Sequence, residues 1–217
     1  MSEGTPRRAA RPSGRVFDLT GGRVCLDFPN TVDNRPVEWR KDLLETYADL
    51  VAWGRQAELL SDADARGLLA AGGRRPPGAA RVLQTAKALR EALFGVFAPL
   101  AAGRVPMKRD WAGLEAHLRA ALRHTRLERT PRGFAWGWSR APDALDRVLW
   151  PVARDAADFL TSGDLSRLRV CAADDCDWLF LDQSRNQSRV WCNMQVCGNR
   201  AKARRHYARA KKSRVAS

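Results

Sequence analysis

The sequence predicts a mostly α-helical N-terminal domain with small β-hairpins, an α+β unit, followed by a small C-terminal zinc module with four cysteine ligands. Three observations predict it. Apolar residues recur at helical spacing in several stretches between residues 43 and 160. Short apolar runs flank glycine-containing turns at two places, as in hairpins. Near the C-terminus stands Cys171-x4-Cys176, then fifteen residues, then Cys192-x4-Cys197, two ligand pairs around a short spacer.

Taken in order, residues 1–15 are rich in Arg, Pro and Gly and are expected to be a disordered basic tail. Val16–Leu19 and Arg23–Phe28 surround Thr20-Gly21-Gly22 and are expected to pair as a hairpin. Leu43, Tyr47, Leu50, Val51 and Gly54 share one helical face, with Trp53 beside them. Ser61-Asp62-Ala63-Asp64 resembles a helix N-cap, and that helix should stop at Gly72-Gly73. Pro76-Pro77-Gly78 reads as a breaker before a helix over 79–100, with Val82, Leu89, Leu93, Val96 and Phe97 as its apolar face and Pro99 at its end. A further helix spans 106–122, carrying Trp111, Leu114, Leu118 and Leu122. The stretch 126–138 contains Thr130-Pro131-Arg132-Gly133 and the alternating Phe134-Ala135-Trp136-Gly137-Trp138, a second hairpin. Residues 143–160 read as a helix kinked at Pro151. These elements place an N-terminal domain at 16–163, expected to fold alone, and the cysteine module at 164–217.

The cysteines have a rival reading as disulfides. Residues 1–15 contain no apolar signal-peptide core, and no apolar run approaches a membrane span, so a cytoplasmic chain with no membrane partner is expected. Disulfides are rare there and clustered cysteines favour metal. Four thiolates leave no position open for water, so one structural Zn2+ is expected. Cys25 lies in the apolar run Val24-Cys25-Leu26 and is expected to be a core thiol.

Net charge is +14, and its placement narrows the function. Residues 1–15 and 16–164 each carry +3, whereas residues 165–217 carry 12 basic and 4 acidic side chains. From Gln183 onward there are ten Lys and Arg and no acid. Basic charge behind a metal-held anchor is the footprint of a polyanion partner. The last segment is expected to form a helix starting at Cys197, with Ala203, His206, Tyr207 and Ala210 on a narrow arc facing the zinc site. The candidate nucleic-acid contacts are Arg185, Arg189, Arg200, Lys202, Arg204, Arg205 and Arg209. Arg200, in the first turn, has a second reading as a brace for the cysteine knuckle. Trp191 is expected to shield the metal from water.

No phosphate-binding loop, Ser-His-Asp order or His-Glu-x-x-His pattern occurs. His117 and His124 lack a converging carboxylate or nucleophile and are expected on the surface or in packing. No catalytic residues are assigned, and the chain is not expected to be an enzyme.

Phe180-Leu181-Asp182, Ser184-Arg185-Asn186, Trp191-Cys192, Met194 and Cys197-Gly198-Asn199-Arg200-Ala201-Lys202 resemble the CGNR zinc finger, named for that tetrapeptide. Leu26-Asp27-Phe28-Pro29-Asn30-Thr31, with Leu43-Leu44, Tyr47, Leu50-Val51 and Trp53, resembles the ABATE domain that usually accompanies it. Pro29 stands where an aliphatic residue is expected and Val190 where a second arginine is expected. The resemblance implies a treble-clef-like finger and a stress-induced transcriptional regulator that binds DNA. The N-terminal domain would then sense a signal or mediate assembly. The polar cluster Asp27, Asn30, Thr31 and Arg35 is either a ligand pocket or a set of turn and helix caps. RNA binding through the same basic module, an enzyme with its site in the N-terminal domain, and a protein-binding zinc module are the alternatives.

Overall fold

A computed structural model describes residues 14–139, 141, 143–204 and 207. The expected disordered tail, up to residue 13, lies outside the described residues. Arg15 pairs with Glu45 at 2.9 Å and approaches Asp49.

Among the described residues six α-helices build the N-terminal part: α1 (Val24–Asp27), α2 (Tyr47–Gln56), α3 (Asp62–Arg74), α4 (Pro76–Ala101), α5 (Lys108–Leu122) and α6 (Leu149–Ser162). Three small antiparallel pairs join them: β1 (Val32–Asp33) with β2 (Lys41–Asp42), β3 (Thr125–Thr130) with β4 (Gly133–Trp138), and β5 (Leu168–Val170) with β6 (Leu179–Leu181).

Helix starts follow local chemistry. Thr46 caps α2 by accepting from Asp49 N at 3.2 Å, while the Asp49 carboxylate accepts from Thr46 N at 2.8 Å. Ser61 and Asp64 form the same reciprocal box on α3. Pro76 and Pro77 open α4 instead of breaking it, because first-turn N–H groups have no intrahelical partner to lose. Pro151 likewise falls in the first turn of α6, so no kink arises, and residues 143–148 are turns that carry buried Leu145. Pro99 sits in the last turn of α4.

The first expected hairpin is absent. Residues 14–20 run without regular structure into a bend at Gly21-Gly22, and α1 (Val24–Asp27) takes the place of the second expected strand. Two carboxylates explain it. Asp155 on α6 accepts from Cys25 N at 3.0 Å and pairs with Arg23, placing negative charge at the first turn of α1. Asp27 Oδ1 accepts from Gly21 N at 2.7 Å. A Cβ on Gly21 would stand 2.9 Å from that oxygen, and Gly22 has φ +82°, so this bend needs both glycines.

The core lies between α2, α4 and α6, with Phe28, Trp53, Leu89, Leu93, Phe97 and Phe159 fully buried. Cys25 belongs to it, and burial pushes its thiol well above the ordinary value. His124 is half-buried and stacks on Trp150 at 3.8 Å. One charged group also enters. Arg90 on α4 is 4 % exposed and forks onto Asp42 of β2 at 2.6 and 3.0 Å, with Lys87 Nζ on the same carboxylate at 2.8 Å. Burial alone would raise the Asp42 carboxyl, but these cations hold it far below the usual range. This fork fixes β1–β2 against α4.

Arg90→Met is expected to lower unfolding free energy by about 2–3 kcal/mol, below the ~3–5 of a fully buried broken pair because Asp42 keeps some water contact. Urea denaturation measures it. The same pair stabilises the fold above the unfolded carboxyl pKa of about 4 and is lost as acid protonates Asp42.

Candidate zinc centre and its basic extension

The β5–β6 hairpin carries the first two cysteines. Cys171 follows Val170 directly and donates its N–H to Trp178 O at 2.8 Å, and Cys176 lies in the connecting loop. Cys192 precedes a π-helical turn over Met194–Gly198 and Cys197 lies within it; the first N–H groups of that turn are capped by the Asn193 side chain. Residues 199–204 continue as α-helix.

These elements bring Cys171, Cys176, Cys192 and Cys197 together, all buried, with their sulfurs within 4.8 Å of one another. Cys176–Cys192 and Cys192–Cys197 sulfur separations are 3.7 and 3.6 Å. A tetrahedron with zinc–sulfur arms of about 2.3 Å has edges near 3.8 Å, whereas a disulfide needs about 2.05 Å. The spacing therefore fits a four-thiolate metal site, and all five cysteines are free of disulfides. Electrostatics agree. Cys171 is held far below its usual value by hydrogen bonds from the Cys176 and Cys192 thiols. Donating hydrogen bonds to Cys171 in turn pushes Cys176 and Cys192 upward, with burial and the charge of Cys171 adding to it, while burial does the same to Cys197. Four thiolates in one buried volume require a dication, and these cysteines form the site of one structural zinc.

The residues between the ligands build the shell around them. Phe180 is fully buried against the cysteines. Asp182, also fully buried, accepts from Ser184 N at 2.9 Å and Arg189 N at 2.9 Å, closing the loop between them. The Arg189 guanidinium stacks 4.5 Å over the Phe180 ring and donates to the carbonyls of Trp191 (2.9 Å) and Cys192. Trp191 and Trp178 pack against the cluster.

The basic residues divide into two groups. Arg200 Nη2 lies 3.4 Å from Cys197 Sγ and 3.1 Å from Asp175, and Arg204 pairs with Asp175 at 2.7 Å and approaches Asp174. Arg189, Arg200 and Arg204 are thus engaged inside the module. Arg185 and Lys202 are exposed, with no ion pair among the described residues. Arg205 and Arg209 lie outside the described residues, as do His206 and Ala210. The helix face turned to the zinc site is not the expected one: Ala203 is exposed and Tyr207 is 74 % exposed, whereas Arg200 and Ala201 are half-buried and Arg204, though exposed, reaches back to Asp175. Two acids in the Cys171–Cys176 loop rotate the helix. Asp174 and Asp175 precede the second ligand, and their place opposite a basic helix was the available signal.

The polar cluster of the N-terminal domain meets the zinc module. Asn30 holds Leu179 by a two-way fork, donating Nδ2 to Leu179 O at 2.9 Å and accepting Leu179 N at Oδ1 at 2.8 Å. Two residues on, Leu181 N donates to Gly21 O at 2.9 Å, and Trp178 Nε1 donates to Val32 O at 3.1 Å. Thr31 Oγ1 donates to Phe28 O, and Arg35 pairs with Glu91 and stacks over Phe94. Asp27 is pushed up to about 6 by burial, with Asp18 and Asp155 adding to the rise. Leu168 and Leu179 lie within the N-terminal core, so the two parts share one interior. Asn30 and its partner are 149 residues apart, which is why no local pattern disclosed the contact.

Two family models match the chain: ABATE, described as "Putative stress-induced transcription regulator", over residues 22–163, and the CGNR zinc finger over residues 167–210. No curated protein matches it.

About one zinc per chain is expected by metal analysis. Because Leu168 and Leu179 belong to the common core, chelation should lower the melting temperature of the whole chain in a single transition. A separate, unshifted helical transition would show that the N-terminal helices stand alone. Asn30→Ala leaves the buried Leu179 N–H and C=O unpaired and should cost about 2–4 kcal/mol, with faster hydrogen exchange at Leu179. Folding raises the Asp27 carboxyl, so its contribution is complete below about pH 4 and is lost as pH rises through about 6. Asp27→Asn should flatten the stability profile across that window.

Proposed function

We propose that this chain, which belongs to the ABATE family and ends in a CGNR zinc finger, is a transcriptional regulator that binds duplex DNA through the finger. The N-terminal domain then senses a signal or mediates assembly. One observation carries the reading. Ten Lys and Arg with no acid after residue 182 are attached to a segment pinned at Cys192 and Cys197. A cationic run held at one end by a metal site can meet a regular array of phosphates with little loss of chain freedom.

Within that run the contacts divide. Arg185 and Lys202 point to solvent and are free to meet phosphates, with Arg205 and Arg209 as further candidates in sequence. Arg189 and Arg200 support the cysteine knuckle. Arg204 pairs with Asp175 but keeps part of its guanidinium exposed, so it serves both ends. The role is one of binding; His124, stacked on Trp150, is part of the packing.

RNA is the competing ligand, and the 74 % exposure of Tyr207 favours it to the extent that the ring can stack on an unpaired base. Competition between duplex DNA and structured RNA separates the two.

For about five phosphate contacts, the log affinity for duplex DNA should fall with log salt at a slope of about −4 to −5. The Arg185→Ala/Lys202→Ala pair should flatten that slope by about one to two units with zinc content unchanged. Arg200→Ala should instead weaken zinc retention, since its guanidinium faces Cys197 and Asp175. Fluorescence anisotropy across a salt series reads the slopes, and salt-independent binding would refute the proposal.

A further inference from the structure

The molecule treats its two longer-range strand edges differently. In β5–β6 the outward-facing main-chain groups of Leu179 and Leu181 are closed by Asn30 and Gly21. In β3–β4 the register runs without a bulge from Thr125↔Trp138 to Thr130↔Gly133, and Ser139 N donates to His124 O at 2.7 Å. Antiparallel alternation then turns the N–H and C=O of Gly133, Ala135 and Gly137 toward β3, and those of Phe134, Trp136 and Trp138 outward. Among the described residues these outward groups have no hydrogen-bond partner.

Natural edge strands are guarded by charge, proline or a bulge. β4 has none of these: Gly133-Phe134-Ala135-Trp136-Gly137-Trp138 is uncharged and regular. Its side chains are bare as well, with Phe134 73 %, Trp136 64 % and the cross-strand partner Leu127 63 % exposed. A two-stranded hairpin is marginal in water without further strands or packing. Among the described residues its ring contacts to the domain are at the base, where Trp138 meets Trp150, and at mid-strand, where Arg154 lies over Trp136.

We propose that β4 pairs antiparallel with β4 of a second copy of this chain, about a twofold axis through Trp136. That register is self-complementary. Phe134 faces the second copy's Trp138, Trp136 faces its own equivalent, and every outward group of β4 gains a partner. Charge placement selects this occupant. Arg126, Glu128 and Arg129 all lie on β3 and Arg132 in the turn. Pairing through β4 puts the two β3 strands on the outside, about 14 Å apart at three strand spacings, where their cations repel little. A polyanion would instead favour the arginine-bearing β3 side. The proposal names the partner for the assembly role given to the N-terminal domain and needs no nucleic acid, so its failure leaves DNA binding by the finger untouched.

Sedimentation equilibrium of the full, zinc-loaded chain in high salt, without nucleic acid, should show a dimer in the micromolar range. Trp136→Pro removes an outward donor without touching the ladder to β3 and should give a monomer with zinc content and cooperative melting retained. Phe134→Lys charges the edge and should weaken the dimer at least about tenfold. A second measurement is independent of affinity. Trp136→Cys should form an intermolecular disulfide on mild oxidation, because facing residues of a hydrogen-bonded pair have Cα atoms about 5.5 Å apart. Phe134→Cys should not, since the two copies of that position lie about 14 Å apart in this register. A monomer at every concentration overturns the proposal, as does a folded Trp136→Pro that still dimerises. So does a monomeric chain whose DNA affinity falls in Arg126→Ser/Arg129→Ser, which would make the hairpin a polyanion contact.

Discussion

The side-chain amide of Asn30 takes the place of a neighbouring strand on the open edge of β6, and much of the molecule is arranged around that substitution. It satisfies both main-chain groups of Leu179 at 2.8–2.9 Å. With Gly21 and the Trp178 indole it ties the β5–β6 hairpin to the segment around α1. Leu168 and Leu179 can then enter the N-terminal core, and Cys171 and Trp178 emerge at the other end of the same hairpin. The first zinc ligands are therefore positioned by the helical domain as much as by their own loop. A small zinc module buries little apolar surface by itself; metal binding, of the order of 10–16 kcal/mol in apparent terms, and a shared interior act together here.

The same economy governs the arginines. A run of cations without acids would repel itself, and the fold answers by turning some of them inward. Asp175, buried in the Cys171–Cys176 loop, receives both Arg200 and Arg204. Main-chain carbonyls next to Cys192 receive Arg189. These contacts place positive charge beside the thiolates, where it stabilises them, and leave Arg185 and Lys202 facing solvent. Asp182, Ser184 and Arg189 also acquire a plain physical role, since together they close the loop that precedes the second ligand pair. The motif by which the finger is recognised is thus largely a description of how its metal site is enclosed.

The contrast between β6 and β4 has a bearing on regulation. One edge is closed from within, the other is left uncharged and unpaired among the described residues. In the proposed dimer two fingers would share one assembly, and their joint affinity for a polyanion would depend on the spacing they can reach.

What the sequence by itself determined was whatever depends on near neighbours. The four ligands were legible because their spacing is itself the chemistry. Helices α2, α4 and α5 were legible from their apolar stripes, although Trp111 and Leu122 of the expected α5 face stand exposed and Ala121 is buried instead; the start of α3 was legible from Ser61 and Asp64, and the β3–β4 hairpin from its alternation around Pro131-Arg132. Tertiary structure decided the rest, through partners remote in sequence. Residues 24–27 became a helix because Asp155, 130 residues from Cys25, supplies a carboxylate to its first turn. Pro76 and Pro77 opened a helix where their local signal is a stop. Arg90, a charge on an apolar face, found its counterion in Asp42, and Asn30 found a strand edge 149 residues away. A propensity is fixed by the few residues around it, whereas a buried polar group is decided by whichever partner the folded chain brings within hydrogen-bond distance, and that information lies in the packing.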